Sequence, residues 1–499
     1  MIAQTVSTAP EAGPRDDTAE ARWAKLTGSR SALMNRKRLY ASLTVPSILP
    51  EDGIGEGEET IRNYQSLGAR GVNNLAAKLL LALFPPGMCF FRYNPDERTV
   101  SELEALEKQN PPADGVGIRD KLSAVFAERE RVLMAHFNTT GLRPAIYQML
   151  RSAIVVGDGA LAFPKGGRAR FLRLDRYAVQ RDGNGNLCEF VIRDTFCPGT
   201  LPENLKDRVP APTDGKTASD SPLYLYTWGK LRGASWEVSQ EFLGQPVEGA
   251  SATYPKEVLP FIFLRWNGLD GEHYGRSHIE DLVGDLQPLD DLKCSVCQAA
   301  GAGSKVIWLV KPGSSTNLRH LEKAKSGDFV SGDVEDVQAL KVDKQVDLSV
   351  AAQQIADIRD ELQRSFLMVS SIQRQAERVT ASEIHELSRE LDTALGGIYS
   401  AFTETLQRPL AMGIEAVLIR DGKLAPLTKE HGVTISMVTG MDGLGRAADL
   451  SKLGQFAQFV SALPDGAKYL KTAGWVARAA QAFGLEADGA GLGDYAIYS

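Results

Sequence analysis

The 499-residue chain has only five cysteines, Cys89, Cys188, Cys197, Cys294 and Cys297, and their odd number and wide scatter exclude a disulfide framework. That usage fits assembly in a reducing compartment. Basic excess is also missing: 56 Lys plus Arg face 63 Asp plus Glu, a formal charge of -7, whereas a protein that grips nucleic acid tightly is usually cationic. No long hydrophobic run exists either. The most apolar stretch, residues 76–91, is interrupted by Lys78 and by Pro85-Pro86, and falls short of the ~20 residues that span a bilayer. The opening residues lack a charged region followed by an apolar one, so no secretory leader is expected. What remains, 43% hydrophobic and 24% charged residues, is ordinary for a globular protein, and the length suggests about two to four domains.

Residues 1–22 are small, polar and Pro-containing, the composition of a flexible arm. Apolar spacing predicts helices over 61–84, 118–137 and 144–156. The period then shortens to that of strands over 160–163, 169–174, 177–181 and 187–196, with the turn Asp182-Gly183-Asn184-Gly185 between the last two. This pattern predicts a hairpin meander. A Pro-, Asp- and Ser-rich linker at 198–222 separates it from further strands at 223–228 and 236–242, and residues 255–266 close the β-rich region. From Ser277 to about Gly303 one apolar face returns, ringed by acidic residues and bent at Pro288. A small mixed module follows to about Gln345, beginning with a strand at 305–311, and then a helix from about Asp347. Thr380-Ala381-Ser382-Glu383 has the form of a capping box, and the apolar series behind it predicts one helix of roughly 55 Å with a bend at Pro409. The whole reads as a mixed α/β (α+β) chain.

Motifs with catalytic or ligand-binding form are weak. Gly215-Lys216-Thr217 ends like a phosphate-binding loop, but Pro210 stands where the first glycine is needed. Cys294 and Cys297 have zinc-knuckle spacing without a second pair, and structural zinc takes four ligands. His273 and His278, near Asp270 and Glu272, are the one grouping that suits acid/base or metal chemistry, and an enzyme using them requires a pocket holding both imidazoles and a carboxylate. Gly275-Arg276-Ser277-His278-Ile279 fails the nucleophile-elbow pattern at its last position. No cofactor, metal or catalytic residue is therefore expected. The polar stretch Gln373-Arg374-Gln375-Ala376-Glu377-Arg378 joins two long helices, and its guanidiniums suit phosphate contact, though a solvated connector has the same composition.

Five stretches taken together carry a resemblance. GARGVNNLAAKLLLALFPP (68–86), LRLDRYAVQRDGNGNL (172–187), TYPKEVLPFIFLRWNGLDGEHYGRSHIEDLVGDL (253–286), SGDFVSGDVEDVQAL (326–340) and QRQAERVTASEI (373–384) resemble, in the same order, the head-to-tail connector or portal family of short-tailed bacteriophages. The resemblance implies a non-enzymatic subunit of a ring, commonly of twelve copies, at one capsid vertex. Double-stranded DNA passes through its channel, driven by a separate terminase, and scaffolding, capsid and tail proteins are its other partners. It further implies a wing at 23–275, stem helices at 276–303 and 346–367, a clip at 304–345, a tunnel loop at 368–379, a wing helix and following segment at 380–443, and a crown at 444–499. Residues 276–303 carry five acidic and two basic side chains. Under this reading Asp281, Asp285, Asp290 and Asp291 line the channel, while Gln373, Arg374, Gln375 and Arg378 touch DNA at a constriction. Another structural phage protein, such as a capsid or tail adaptor, is the alternative, and it would lack a long helix lining a pore.

Overall fold

A computed structural model of the chain describes residues 18–51, 63–86, 89–95, 101, 105, 118–163, 168–197, 200–206, 208–209, 222–303, 308–313, 318–331, 333–339, 345–368, 387, 390–391, 393–395, 397–426 and 433–437. In chain order the elements are α1 (Ala19–Gly28), α2 (Ser31–Leu43), α3 (Leu67–Leu83), β1 (Phe91–Pro95), α4 (Ile118–Thr139), α5 (Leu142–Val156), β2 (Asp158–Ala162), β3 (Arg170–Leu172), β4 (Tyr177–Arg181) and β5 (Leu187–Phe196). They continue with α6 (Glu203–Lys206), β6 (Leu223–Arg232), β7 (Ser235–Phe242), β8 (Gln245–Pro246), β9 (Ala252–Pro255), β10 (Phe261–Arg265), α7 (His278–Gly303), β11 (Trp308–Val310), α8 (Leu318–Lys323), β12 (Val337–Ala339), α9 (Gln345–Ser365), α10 (Ile398–Phe402), α11 (Arg408–Arg420) and β13 (Val433–Met437). Helices and antiparallel sheets are both present in quantity, so the fold is mixed α/β. Among the described residues no helix is long and apolar enough to cross a membrane.

The strands do not form the single meander that their order suggests. β4, β5, β6, β7 and β8 pair consecutively, with β9 also on β7, but β2 lies between β3 and β10 in a second sheet. Burial explains the division. β2 is buried at every position, as a central strand under a helix must be, and α5 packs over it. β1 pairs with β13, from Phe91↔Met437 to Pro95↔Val433, so a segment more than 300 residues later returns to the same body. The core beneath is continuous: α3 and α5 meet there, and Phe84, Phe90, Phe91 and Phe137 fill it with edge and stacked ring contacts.

Two helical expectations need correction. The first apolar run does not begin its helix at 61; residues 63–66 are not helical, and Gln65 is held by its main-chain N–H donating to Asp290 at 3.0 Å and its amide donating to the Leu43 carbonyl at 2.6 Å. Ile61 and the capping box at 380–383 lie outside the described residues. The second apolar series is not one helix. Gly397 takes φ +88° and caps α10, after which residues 403–407 form a π-helical turn that leads into α11. The wider turn precedes Pro409, whose missing N–H cannot serve a regular α-helix, so the irregularity sits where the backbone bond is lost.

A buried polar node joins the body to α7. Lys37 of α2 pairs with Asp158 of β2, donates to the Gly275 carbonyl at 3.1 Å and lies 5.5 Å from the Tyr274 ring, while Asp158 accepts the Gly275 N–H at 2.9 Å. Each buried charge thus has its opposite and a further hydrogen bond, the condition for tolerating it. Gly157 and Gly275 approach so closely that a Cβ on Gly157 would sit 2.4 Å from the Gly275 carbonyl oxygen. Glycine at both positions lets the two strands of chain touch just before α7 departs.

Candidate functional site

Helix α7 begins on a side-chain cap. The buried Ser277 hydroxyl accepts the Glu280 N–H at 3.0 Å, and Arg276 bridges Glu272 at 2.6 Å and Glu280 at 2.7 Å. Those two carboxylates hold the Arg276 guanidinium above its ordinary pKa, and Arg276 in turn holds Glu272 below the usual carboxylate range. Ile279, Leu282, Leu286 and Leu289 face the core, and α9 packs alongside.

The four aspartates expected to line a channel are spread around α7. At 3.6 residues per turn, the surface opposite the apolar stripe carries Asp281 and Asp291, both exposed. Asp285 sits half-buried on one flank. Asp290 lies on the other flank and is occupied in accepting the Gln65 N–H, which fixes the chain entering α3. The acidic surface of α7 is therefore narrower than the sequence suggests.

Helix α9 ends in an unusual stop. Leu367 takes φ +54°, a left-handed conformation normally left to glycine, and the Met368 N–H donates back to the Gln363 carbonyl at 2.8 Å. Side chains of α3 hold this stop. Asn74 donates to the carbonyls of Phe366 at 3.1 Å and Leu367 at 3.2 Å, and Lys78 donates to Leu367 at 2.7 Å while lying 3.5 Å from Glu390. Burial lowers the Lys78 pKa, with Glu390 pulling the other way. A Cβ on Gly71 would collide with the Phe366 ring at 2.4 Å, so α3 and the end of α9 meet at close range. One lysine thus touches the chain on both sides of 369–386. Sequence reasoning missed this clasp, although a signal existed: Lys78 is a charge inside an otherwise apolar helical run.

Gln373, Arg374, Gln375 and Arg378 lie outside the described residues, as does Gly215-Lys216-Thr217. His273 and His278 are not brought together. His273 is exposed and its Nδ1 accepts the Arg181 N–H at 3.3 Å, whereas His278 packs between Trp266 and Phe366 with Nε2 against the Ser365 carbonyl at 3.2 Å. Burial lowers the His278 pKa. A cavity of about 560 Å³ includes His278 and Asp281 but not His273, which departs from the arrangement that acid/base use of both imidazoles requires. Cys294 accepts from the Gln298 amide at 3.2 Å one turn on, and Cys297 is exposed.

A family model described as bacteriophage head to tail connecting protein matches residues 16–490. The portal protein of Escherichia phage T7 is 36% identical over 448 residues, which is 88% of this chain and 81% of that protein. The portal protein of Enterobacteria phage SP6 is 30% identical, with 88% and 82% covered, and that of Pseudomonas phage phiKMV 29%, with 89% and 85% covered. Among solved structures, a chain from the neck of a native GTA particle covers 84% of this chain, and 90% of its own length is covered, at a TM-score of 0.35 and 11% identity.

Proposed function

The chain belongs to the bacteriophage head to tail connecting protein family, and from that membership we propose that it is a portal subunit acting by geometry and charge rather than by catalysis. The single observation behind this reading is the similarity to phage portal proteins over 88% of the chain. Copies of the subunit form a ring at one vertex of the virion capsid, assembled in the host cytoplasm, with DNA entering through the channel during packaging and leaving through it on infection. Residues 23–275 are the wing, 276–303 and 346–367 the stem, 304–345 the clip that meets terminase and later tail proteins, 368–379 the tunnel loop, 380–443 a second pass through the wing, and 444–499 the crown.

The electrostatics suit this role. DNA carries one negative charge per ~1.7 Å of axis, and a cationic wall would displace its counterions and hold it fast. Asp281 and Asp291 give α7 an exposed anionic surface that a polyanion slides past. Arg374 and Arg378, opposed by Glu377, give each subunit one net positive charge in 368–379 and allow brief phosphate contacts there. The clasp of Asn74 and Lys78 supports that assignment, because it fixes where the chain enters and leaves the segment. Electron micrographs of the purified full-length protein test the reading. Annular particles with a bore wide enough for B-form DNA are expected; monomers, or rings too narrow for a duplex, would refute it.

A further inference from the structure

Two of the stretches that resemble the connector family, 172–187 and 253–286, converge on a cleft for which the portal reading has no use. It holds about 580 Å³ between the β4–β5 turn, the end of β10 and residues 397–405. Arg181 donates to the carbonyls of Gly185 at 3.0 Å, Phe263 at 3.0 Å and His273 at 3.2 Å. Arg265 donates to Glu272 at 3.0 Å, to Leu269 at 3.5 Å and, at 3.4 Å, to the same Gly185 carbonyl. Every described acceptor of these two guanidiniums is a main-chain oxygen, and both side chains line the cleft. The Arg181 charge is poorly compensated: burial first, and then the Arg265 charge, bring Arg181 down to about 10, against a weaker upward pull from Asp158.

Arg265 is half-buried and packs closely on two glycines. A Cβ on Gly185 would lie 2.6 Å from its Nη2, and a Cβ on Gly268 would lie 2.5 Å from its Cζ, so with glycine at both positions the guanidinium lies directly against the main chain. The rest of the wall is mixed: Leu187, Trp266 and Ile398 supply apolar surface, and Asn186, Asn267 and Thr405 add polar groups. Paired guanidinium forks beside a wall with an apolar patch at Leu187, Trp266 and Ile398, in a cavity of ligand size, match a phosphate group with a planar body attached. We propose that this cleft binds a phosphate ester, its phosphate held by Arg181 and Arg265 and its body lying against Trp266 and Ile398. None of the residues lining the cleft belongs to 368–379, and the site does not depend on the channel.

Calorimetric titration of the assembled full-length protein with inorganic phosphate, dAMP and a short unphosphorylated DNA duplex tests this. Saturable uptake of dAMP, with phosphate weaker, is expected, and R265M should reduce the affinity at least about tenfold, as loss of charged hydrogen bonds does. A401E adds a carboxylate at an exposed position of the same cleft, where it competes with the phosphate for the two guanidiniums, and should weaken binding to a similar extent. A duplex that also binds and shares both losses identifies the DNA strand as the phosphate source; a duplex that does not bind identifies a free nucleotide. Absence of saturable binding by all three probes, or affinities unchanged in both variants, would overturn the proposal.

Discussion

At the scale of single residues, Leu367 concentrates the cost of ending α9 where it does. A non-glycine residue at positive φ carries on the order of 1–3 kcal/mol of strain, and it persists only when its surroundings over-determine it. Asn74 and Lys78 provide that determination through three donated hydrogen bonds to Phe366 and Leu367. L367V keeps an apolar side chain of nearly the same size but adds branching at Cβ, which the left-handed region tolerates worst. We expect it to lower stability by about 1–2 kcal/mol, read from the thermal midpoint of the assembled protein, while L367G loses the side-chain contact but relieves the backbone and falls between L367V and wild type or above it. An L367V midpoint equal to wild type would show that the left-handed stop is not where the strain lies.

Between elements, His278 ties the start of α7 to the end of α9 through the Ser365 carbonyl, and its titration reports on that joint. Burial is the largest influence and lowers its pKa from 6.5, against upward pulls from the Ser365 hydrogen bond and Asp281. In the window below 6.5 the unfolded chain therefore binds more protons at this site than the folded one, so the stability it contributes is present above 6.5 and is lost as pH falls through the folded value. H278F removes the titration and keeps the aromatic packing against Trp266 and Phe366. Its thermal midpoint should fall less than that of wild type between pH 7.5 and pH 5.5, and equal falls would mean that other groups dominate there. Element types were legible wherever a period ran uninterrupted: β4, β5, α7 and α9 lie within a few residues of their expected bounds. What was illegible depended on partners distant in sequence. Nothing local to residues 63–66 says that Asp290 will hold them out of the helix, and nothing in the alternation of residues 160–163 says that β10, about a hundred residues on, will be a neighbour. The break at Gly397 was also missed, because an apolar series that continues across a glycine looks the same whether or not that glycine turns left-handed.

For the whole molecule, net charge and family resemblance were readable from sequence, while the distribution of charge over surfaces was not. Five acidic side chains in 276–303 suggest a uniformly anionic helix, yet Glu280 is paired with Arg276, Asp290 is engaged with Gln65 and Asp285 is half-buried, which leaves Asp281 and Asp291 on the exposed side. In the proposed ring this difference separates two classes of variant. D281K with D291K changes the exposed face of α7 without breaking any hydrogen bond described for those residues, and every subunit repeats the change around the bore. The duplex would then meet new counterion-releasing contacts in each subunit, and their effect should fade as salt rises. Rings should form as in wild type, with packaging slowed at low ionic strength and largely restored at high. D290K should behave in the opposite way, because it withdraws the acceptor of the Gln65 N–H and leaves a partly buried donor unpaired, at a cost of about 1–3 kcal/mol in stability. Single-particle packaging rates and thermal midpoints, measured on both variants across a salt series, distinguish the two effects. A D281K/D291K ring that packages at the wild-type rate at every salt concentration would show that this face of α7 turns away from the DNA.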